Sequence, residues 1–89
     1  MNLQITNLNN TYQLSGTLSK WNVNLFKKEF HNIFDKQGFL IIDMENLLSI
    51  DRYGVMALAQ LHNEALVKGK KISIIGMGDS DFKSKDSAA

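Results

Sequence analysis

The sequence predicts an α/β fold, a mixed sheet of about four strands with two main helices in the order ββαβαβ. Three observations carry this. Phe39, Leu40, Ile41 and Ile42 form a continuous apolar run, as a strand covered on both faces requires. A long stretch from Asp51 to Lys68 follows with apolar residues three and four apart, and Ile72 to Met77 then reads as a further strand. Strand, helix and strand joined by such short connections imply a right-handed crossover and two parallel strands in one sheet.

The elements follow in order. Leu3 and Ile5 alternate with Asn2, Gln4 and Thr6, and Tyr12, Leu14, Gly16 and Leu18 continue the alternation after the turn-forming pair Asn9 and Asn10. The pattern predicts a hairpin with one buried face. Ser19 to Asn22 is the transition to the first helix, and either Ser19 or Asn22 suits its N-cap. Phe26, Phe30, Ile33 and Phe34 share one stripe of that helix and read as packing onto the sheet, with Gly38 ending it. Asp43 and Met44 close the central strand, and a short acidic loop leads to the second helix. In that helix Val55, Leu58, Ala59, His62, Ala65 and Leu66 make the apolar face, opposite Gln60, Asn63 and Glu64. Lys68 in its last turn and Gly69 just beyond form a C-terminal cap. Two crossovers of the same hand place both helices on one sheet face. The other face is thinly covered, which suggests self-association there, or cover from the tail. The domain is expected over residues 1–78, with 79–89 a polar tail or a short helix beginning near Ser80.

Composition narrows the function. The 89 residues suit one domain, and a net charge of +1 gives no excess that would attract nucleic acid or an anionic membrane. Lys68, Lys70 and Lys71 form the only basic cluster, which reads as a solvated helix end. Without cysteine there are no disulfides, thiol nucleophiles or thiolate metal sites. The N-terminus lacks a signal-peptide core and no apolar run approaches the roughly 20 residues that span a bilayer, so a cytoplasmic setting is expected. His31 and His62 fall on separate helices without paired carboxylates, so neither suggests a metal site. Ser49 has no base and acid grouped with it as a nucleophile would need. Gly76-Met77-Gly78 reads as a turn, because no Lys-Ser or Lys-Thr pair follows it. Asp43 at a strand end invites a phosphoacceptor reading, which fails on length and on the missing acidic pair after the first strand. No cofactor is expected, and no enzymatic activity.

The loop Ser49-Ile50-Asp51-Arg52-Tyr53-Gly54 departs from what a helix start prefers. Asp51 suits the N-cap. Arg52, however, puts a positive charge in the first turn, where the helix dipole disfavours it by roughly 0.3–1 kcal/mol. Gly54 costs about 1 kcal/mol of helix propensity relative to Ala, so something approaches its backbone closely. Tyr53 between them is expected to be exposed. An Arg-Tyr pair at a helix start is a composition found at binding hot spots.

These stretches, taken in order, resemble the STAS domain, the fold of bacterial anti-sigma factor antagonists and of the tails of sulfate transporters. The resemblance rests on Leu14-Ser15-Gly16-Thr17-Leu18-Ser19 before the first helix and on Leu40-Ile41-Ile42-Asp43 as the central strand. Asp51-Arg52-Tyr53-Gly54 stands where the family has an Asp-Ser-Ser-Gly type loop. Lys68-Gly69-Lys70-Lys71 before Ile72-Ser73-Ile74-Ile75-Gly76 looks like the second crossover. It implies a non-catalytic regulatory protein in signal transduction and transcription control, docking an anti-sigma factor or related kinase through the start of the second helix. Partner-contact residues would be Asp51, Arg52, Tyr53 and Gly54, extended by Ser19 and Trp21. Arg52 occupies the position where regulatory members carry a phosphorylated Ser or Thr, so the usual switch is expected to be absent. Ser49 and Tyr53 are the nearby residues open to modification. Ser19 stands where members often have an acidic residue. The fold would be a short variant, its C-terminal part truncated, because many members continue beyond the fourth strand. Two other readings stand beside this one. The chain resembles an MlaB-like accessory subunit of an ABC transporter, bound to the cytoplasmic ATPase; or apolar residues on the open sheet face hold a lipid or nucleotide.

Overall fold

A computed structural model describes residues 2–76. Strand β1 (Leu3–Leu8) turns at Asn9 and Asn10 into β2 (Thr11–Leu18), and the two pair antiparallel in unbroken register from Leu3↔Gly16 to Leu8↔Thr11. Asn9 takes a left-handed φ of 60°, which Asn tolerates better than most residues. Helices α1 (Val23–Glu29) and α2 (Ile33–Lys36) lead to β3 (Phe39–Ile50), helix α3 (Arg52–Lys68) and β4 (Lys71–Ile75). The sheet order is β1-β2-β3-β4, with β2 and β3 parallel and β3 and β4 parallel. The mixed α/β fold predicted from the sequence is the one formed.

The three helices among the described residues pack on one face. Tyr12, Leu14, Leu18, Leu40, Ile42 and Met44 point from the sheet into the core, where they meet Phe26, Phe30, Ile33 and Phe34 from α1, α2 and their junction and Leu58, Leu61 and Ala65 from α3. Burying each large side chain contributes roughly 1.5–3 kcal/mol. The rings of Phe26 and Phe30 lie 4.7 Å apart, and Tyr12 meets Phe30 edge-on at 4.9 Å. The opposite face carries Gln4, Thr6, Thr11, Gln13, Asp43 and Ser73 along with Leu8, Phe39 and Ile75, the last three each about half exposed.

Four expectations need correction. The first helix is two pieces: α1 stops at Glu29 with Phe30 as its C-cap, and Asn32, left-handed at φ 58°, is the N-cap from which the chain restarts as α2. The central strand does not stop at Asp43 and Met44 but runs on to Ile50, through what the sequence suggested was an acidic loop. Its pairing with β2 shifts between Gln13 and Ser15 and again between Gly16 and Thr17, so β3 holds an extra residue at each place. The core-facing residues there are Met44, Leu47 and Ile50, spaced by three instead of two, and the alternation that marks a strand is lost. Asp43 serves the first bulge, its Oδ1 accepting from the Glu45 N–H at 2.9 Å. The buried face of α3 is Gly54, Ala57, Leu58, Leu61 and Ala65, whereas Val55, Ala59, His62 and Leu66 face outward. Small residues let the helix sit close to the sheet but carry little hydropathy, so the larger Val55 and Leu66 pulled the predicted face round. Finally, β4 begins at Lys71 and ends at Ile75; Met77, the Gly78 turn position and the proposed tail helix near Ser80 lie outside the described residues.

Gly69 caps α3 in left-handed conformation at φ 68°, as its sequence position predicts. Lys68 is not a bare solvated end: its Nζ lies 3.1 Å from Asp35 of α2 and 3.3 Å from Glu64. These acceptors raise the ammonium pKa above its ordinary value.

Candidate functional site

Strands β2 and β3 are parallel, so their C-terminal ends, Leu18 and Ile50, sit side by side in register. The chain leaves both toward helices, which brings the Ser19–Asn22 loop next to the start of α3. Crevices at the carboxyl ends of parallel strands are where α/β folds expose loop residues.

Asp51 holds the two segments together. One carboxylate oxygen, Oδ1, accepts from the N–H groups of Tyr53 at 2.9 Å and Gly54 at 3.1 Å, the N-cap role expected from the sequence. The other, Oδ2, accepts from the N–H of Lys20 at 3.0 Å, across 31 residues of chain. The Asp51 N–H in turn donates to the Leu18 carbonyl at 3.1 Å. Partial desolvation pushes this carboxyl up, but the backbone donors of Lys20, Gly54 and Tyr53, together with the Lys20 charge, outweigh it and hold the pKa below the ordinary value.

The Ser19–Asn22 loop is braced internally. Asn22 is the N-cap of α1 by position, yet its side chain makes no cap bond. Its Oδ1 instead accepts from the Ser19 N–H at 2.9 Å while its Nδ2 donates to the Thr17 carbonyl at 2.8 Å. The Ser19 hydroxyl accepts from the Trp21 N–H at 3.2 Å. Ser19 is therefore half-buried and occupied by the loop's own backbone. Trp21 projects outward, 85% exposed, with the Lys20 ammonium 4.9 Å from its ring centre.

The predicted site residues thus fall into two groups. Arg52, Tyr53 and Trp21 are surface groups around the Asp51 junction. Gly54 is not a surface clearance for a partner; it is buried, and a Cβ there would stand 2.7 Å from Ile50 Cγ1, 2.8 Å from Leu18 Cγ and 3.0 Å from the Leu18 carbonyl oxygen. The close approach that the glycine serves is α3 against the ends of this chain's own strands. Ser49 is exposed on β3, its hydroxyl 3.4 Å from that of Thr17, and Tyr53 is about half exposed. Sequence reasoning missed one contributor to this junction and one exposed apolar side chain on the strand that leads to it. Lys20 contributes its backbone N–H, which no side-chain pattern reveals. Leu48 sits at the second bulge and is 78% exposed, re-aimed outward by the added residue.

Elsewhere, a groove of about 340 Å³ between α1 and α3 is floored by Phe26, Phe30 and Leu61 and edged by His31, Gln60 and Glu64; Asp51 is not part of it. His31 Nε2 lies 3.2 Å from Asn32 Nδ2. Among the described residues no three potential metal ligands cluster, and no helix is long and apolar enough to cross a membrane.

Comparison with known proteins places the fold. No protein of curated function matches the sequence. Among solved structures, the anti-sigma factor antagonist SpoIIAA in its unphosphorylated form superposes with a TM-score of 0.72 at 18% identity, over 96% of this chain and 80% of that one. An uncharacterised protein from Shewanella loihica with a SpoIIAA-like fold gives a TM-score of 0.56 at 13% identity, covering 98% of this chain and 73% of the other. A part of the protein Mglu matches 88% of this chain with a TM-score of 0.64 at 10% identity, corresponding to 19% of Mglu. At such identities the likeness is one of fold. The family model described as the STAS domain matches residues 1–83, and the chain belongs to the STAS domain family.

Proposed function

We propose that this chain is a non-catalytic regulatory STAS domain that docks a protein partner through the start of α3 and the Ser19–Asn22 loop. The observation that carries the reading is the Asp51 junction. One carboxylate fixes both segments through backbone donors, so Arg52, Tyr53 and Trp21 are presented from a pre-ordered surface and little ordering entropy is lost on docking. Aromatic and Arg side chains of this kind dominate binding energy at interfaces. Arg52 is also unfavourably placed for helix stability, which suits a residue retained for recognition. The partner class is an anti-sigma factor, as the name of the SpoIIAA match suggests for that protein, or a related ATP-binding kinase, as the family resemblance implies. Arg52 in the loop replaces the hydroxyl residue of phospho-regulated members, so docking here is constitutive with respect to that position.

The test is a pull-down from native lysate with the wild type beside an Arg52→Glu, Tyr53→Ala double variant. A kinase-like protein retained by the wild type alone supports the reading. A transporter ATPase in that difference would move the assignment to the accessory-subunit class, and an identical retained set for both proteins would remove Arg52 and Tyr53 from the docking surface.

A further inference from the structure

We infer that β1 is a homotypic docking edge, through which two copies of this chain pair their β1 strands antiparallel into one continuous sheet. An edge strand exposes a row of unpaired backbone groups, and proteins normally blunt it with charge, proline, a bulge or extreme shortness. β1 has none of these devices. It is six residues long, its register with β2 is unbroken, and it contains neither charge nor proline. The first charged side chain in the whole sequence is Lys20, so the β1–β2 hairpin is uncharged throughout. The other edge of the sheet differs: β4 is shorter and opens on Lys71, beside Lys70. Among the described residues no strand pairs with the outer side of β1.

The hydrogen-bond phase of the hairpin identifies the free groups. Thr17 N–H donates to the Asn2 carbonyl at 3.1 Å, so Asn2 and Thr17 are a bonded pair. In an antiparallel ladder bonded and non-bonded pairs alternate, and Gln4, Thr6 and Leu8 therefore face β2 in the same way. Leu3, Ile5 and Asn7 direct their N–H and C=O groups outward. A two-fold axis at Ile5 matches these groups to a second copy: Ile5 meets Ile5, Leu3 meets Asn7, and Gln4 lies opposite Thr6 of the other copy. A second copy is the occupant favoured because the dyad at Ile5 pairs every outward group of Leu3, Ile5 and Asn7 and because an uncharged strand meets its own copy without like-charge repulsion, the usual barrier to pairing a strand with itself. The dyad also covers Ile5, a partly buried residue at the margin of the core, with its symmetry mate. β2 separates this edge from β3 and α3, so the Asp51 surface stays open in the pair.

Analytical ultracentrifugation of the full chain from micromolar to sub-millimolar concentration tests this, together with two variants. Asn7→Pro removes an outward N–H that β2 does not use, at an exposed position where an edge strand accepts proline. Gln4→Lys with Thr6→Lys, both exposed, places lysines opposite one another across the dyad. The expected result is a concentration-dependent dimer for the wild type and an about twofold lower mass for both variants, with unchanged circular dichroism. Amide exchange of the wild type supplies a readout independent of any variant: the Leu3, Ile5 and Asn7 N–H groups should gain protection as concentration rises. A monomeric wild type at every concentration overturns the inference. So does a dimer in which those three amides stay unprotected or which both folded variants retain; that result would assign dimerisation to another surface, or strand pairing to an extended peptide of a different protein.

Discussion

Gly54→Ala is the perturbation that most directly probes how the proposed docking surface is built. Taken as a helix residue alone, alanine should stabilise α3 by about 1 kcal/mol. The packing opposes this. The new methyl would stand 2.7 and 2.8 Å from side-chain carbons of Ile50 and Leu18, about 1 Å inside ordinary contact. Leu18 is fully buried and cannot swing away. Its carbonyl oxygen, 3.0 Å from the added carbon, is held by the Asp51 N–H. Overpacking of this kind costs typically 1–3 kcal/mol, and with a backbone atom among the obstacles the upper half of that range applies. The net expectation is a loss of about 1–2 kcal/mol, read as a lower midpoint in urea at unchanged slope, or as a fall in Tm of roughly 4–8 °C per kcal/mol. Relief of the clash lifts the start of α3 from the strand ends and lengthens the Asp51 bonds, so partner affinity should fall along with stability. A variant as stable as the wild type, or more stable, would refute the close packing of α3 on Leu18 and Ile50.

Further outcomes follow from the same surface. Arg52→Glu should separate stability from binding: a carboxylate in the first turn of α3 gains a few tenths of a kcal/mol from the helix dipole, while pull-down of the partner is lost. Trp21 is the only tryptophan and is highly exposed, so its emission should resemble free indole in the isolated protein and shift to shorter wavelength on docking; Trp21→Ala should leave stability within about 0.5 kcal/mol and weaken binding. The Asp51 carboxyl has a depressed folded pKa, so its stabilisation is fully present above the ordinary carboxylate range near pH 4 and is lost as pH falls through the lower folded value. Asp51→Asn should accordingly flatten the acid limb of a pH–stability curve measured by urea unfolding, and an unchanged limb would remove Asp51 from that dependence. Intact-mass analysis of protein from its native cells should show no added phosphate; a phosphate mapped to Ser49 or Tyr53 would restore a switch to this surface.

The order of elements was legible in the sequence because each rests on local chemistry. The uninterrupted run Phe39 to Ile42, the hairpin turn at Asn9 and Asn10, the Asp51 N-cap and the Gly69 C-cap all depend on residues within a few positions of one another, and all appear in the fold. Local chemistry also singled out Asp51, Arg52, Tyr53 and Gly54, because a cation and a glycine in one helical turn conflict with helix preferences. The tertiary structure decided what each of them faces. Gly54 turned inward because the strand ends Leu18 and Ile50 lie beneath it, which depends on β2–β3 pairing between residues some 30 positions apart. Two bulges carried β3 through to Ile50 and exposed Leu48, and a bulge is a property of a strand pair with no period in either strand alone. The second bond of Asp51, to the Lys20 backbone, belongs to the same class. A backbone donor leaves no trace in composition or spacing, so only the folded chain could show that one carboxylate joins the two segments of the surface.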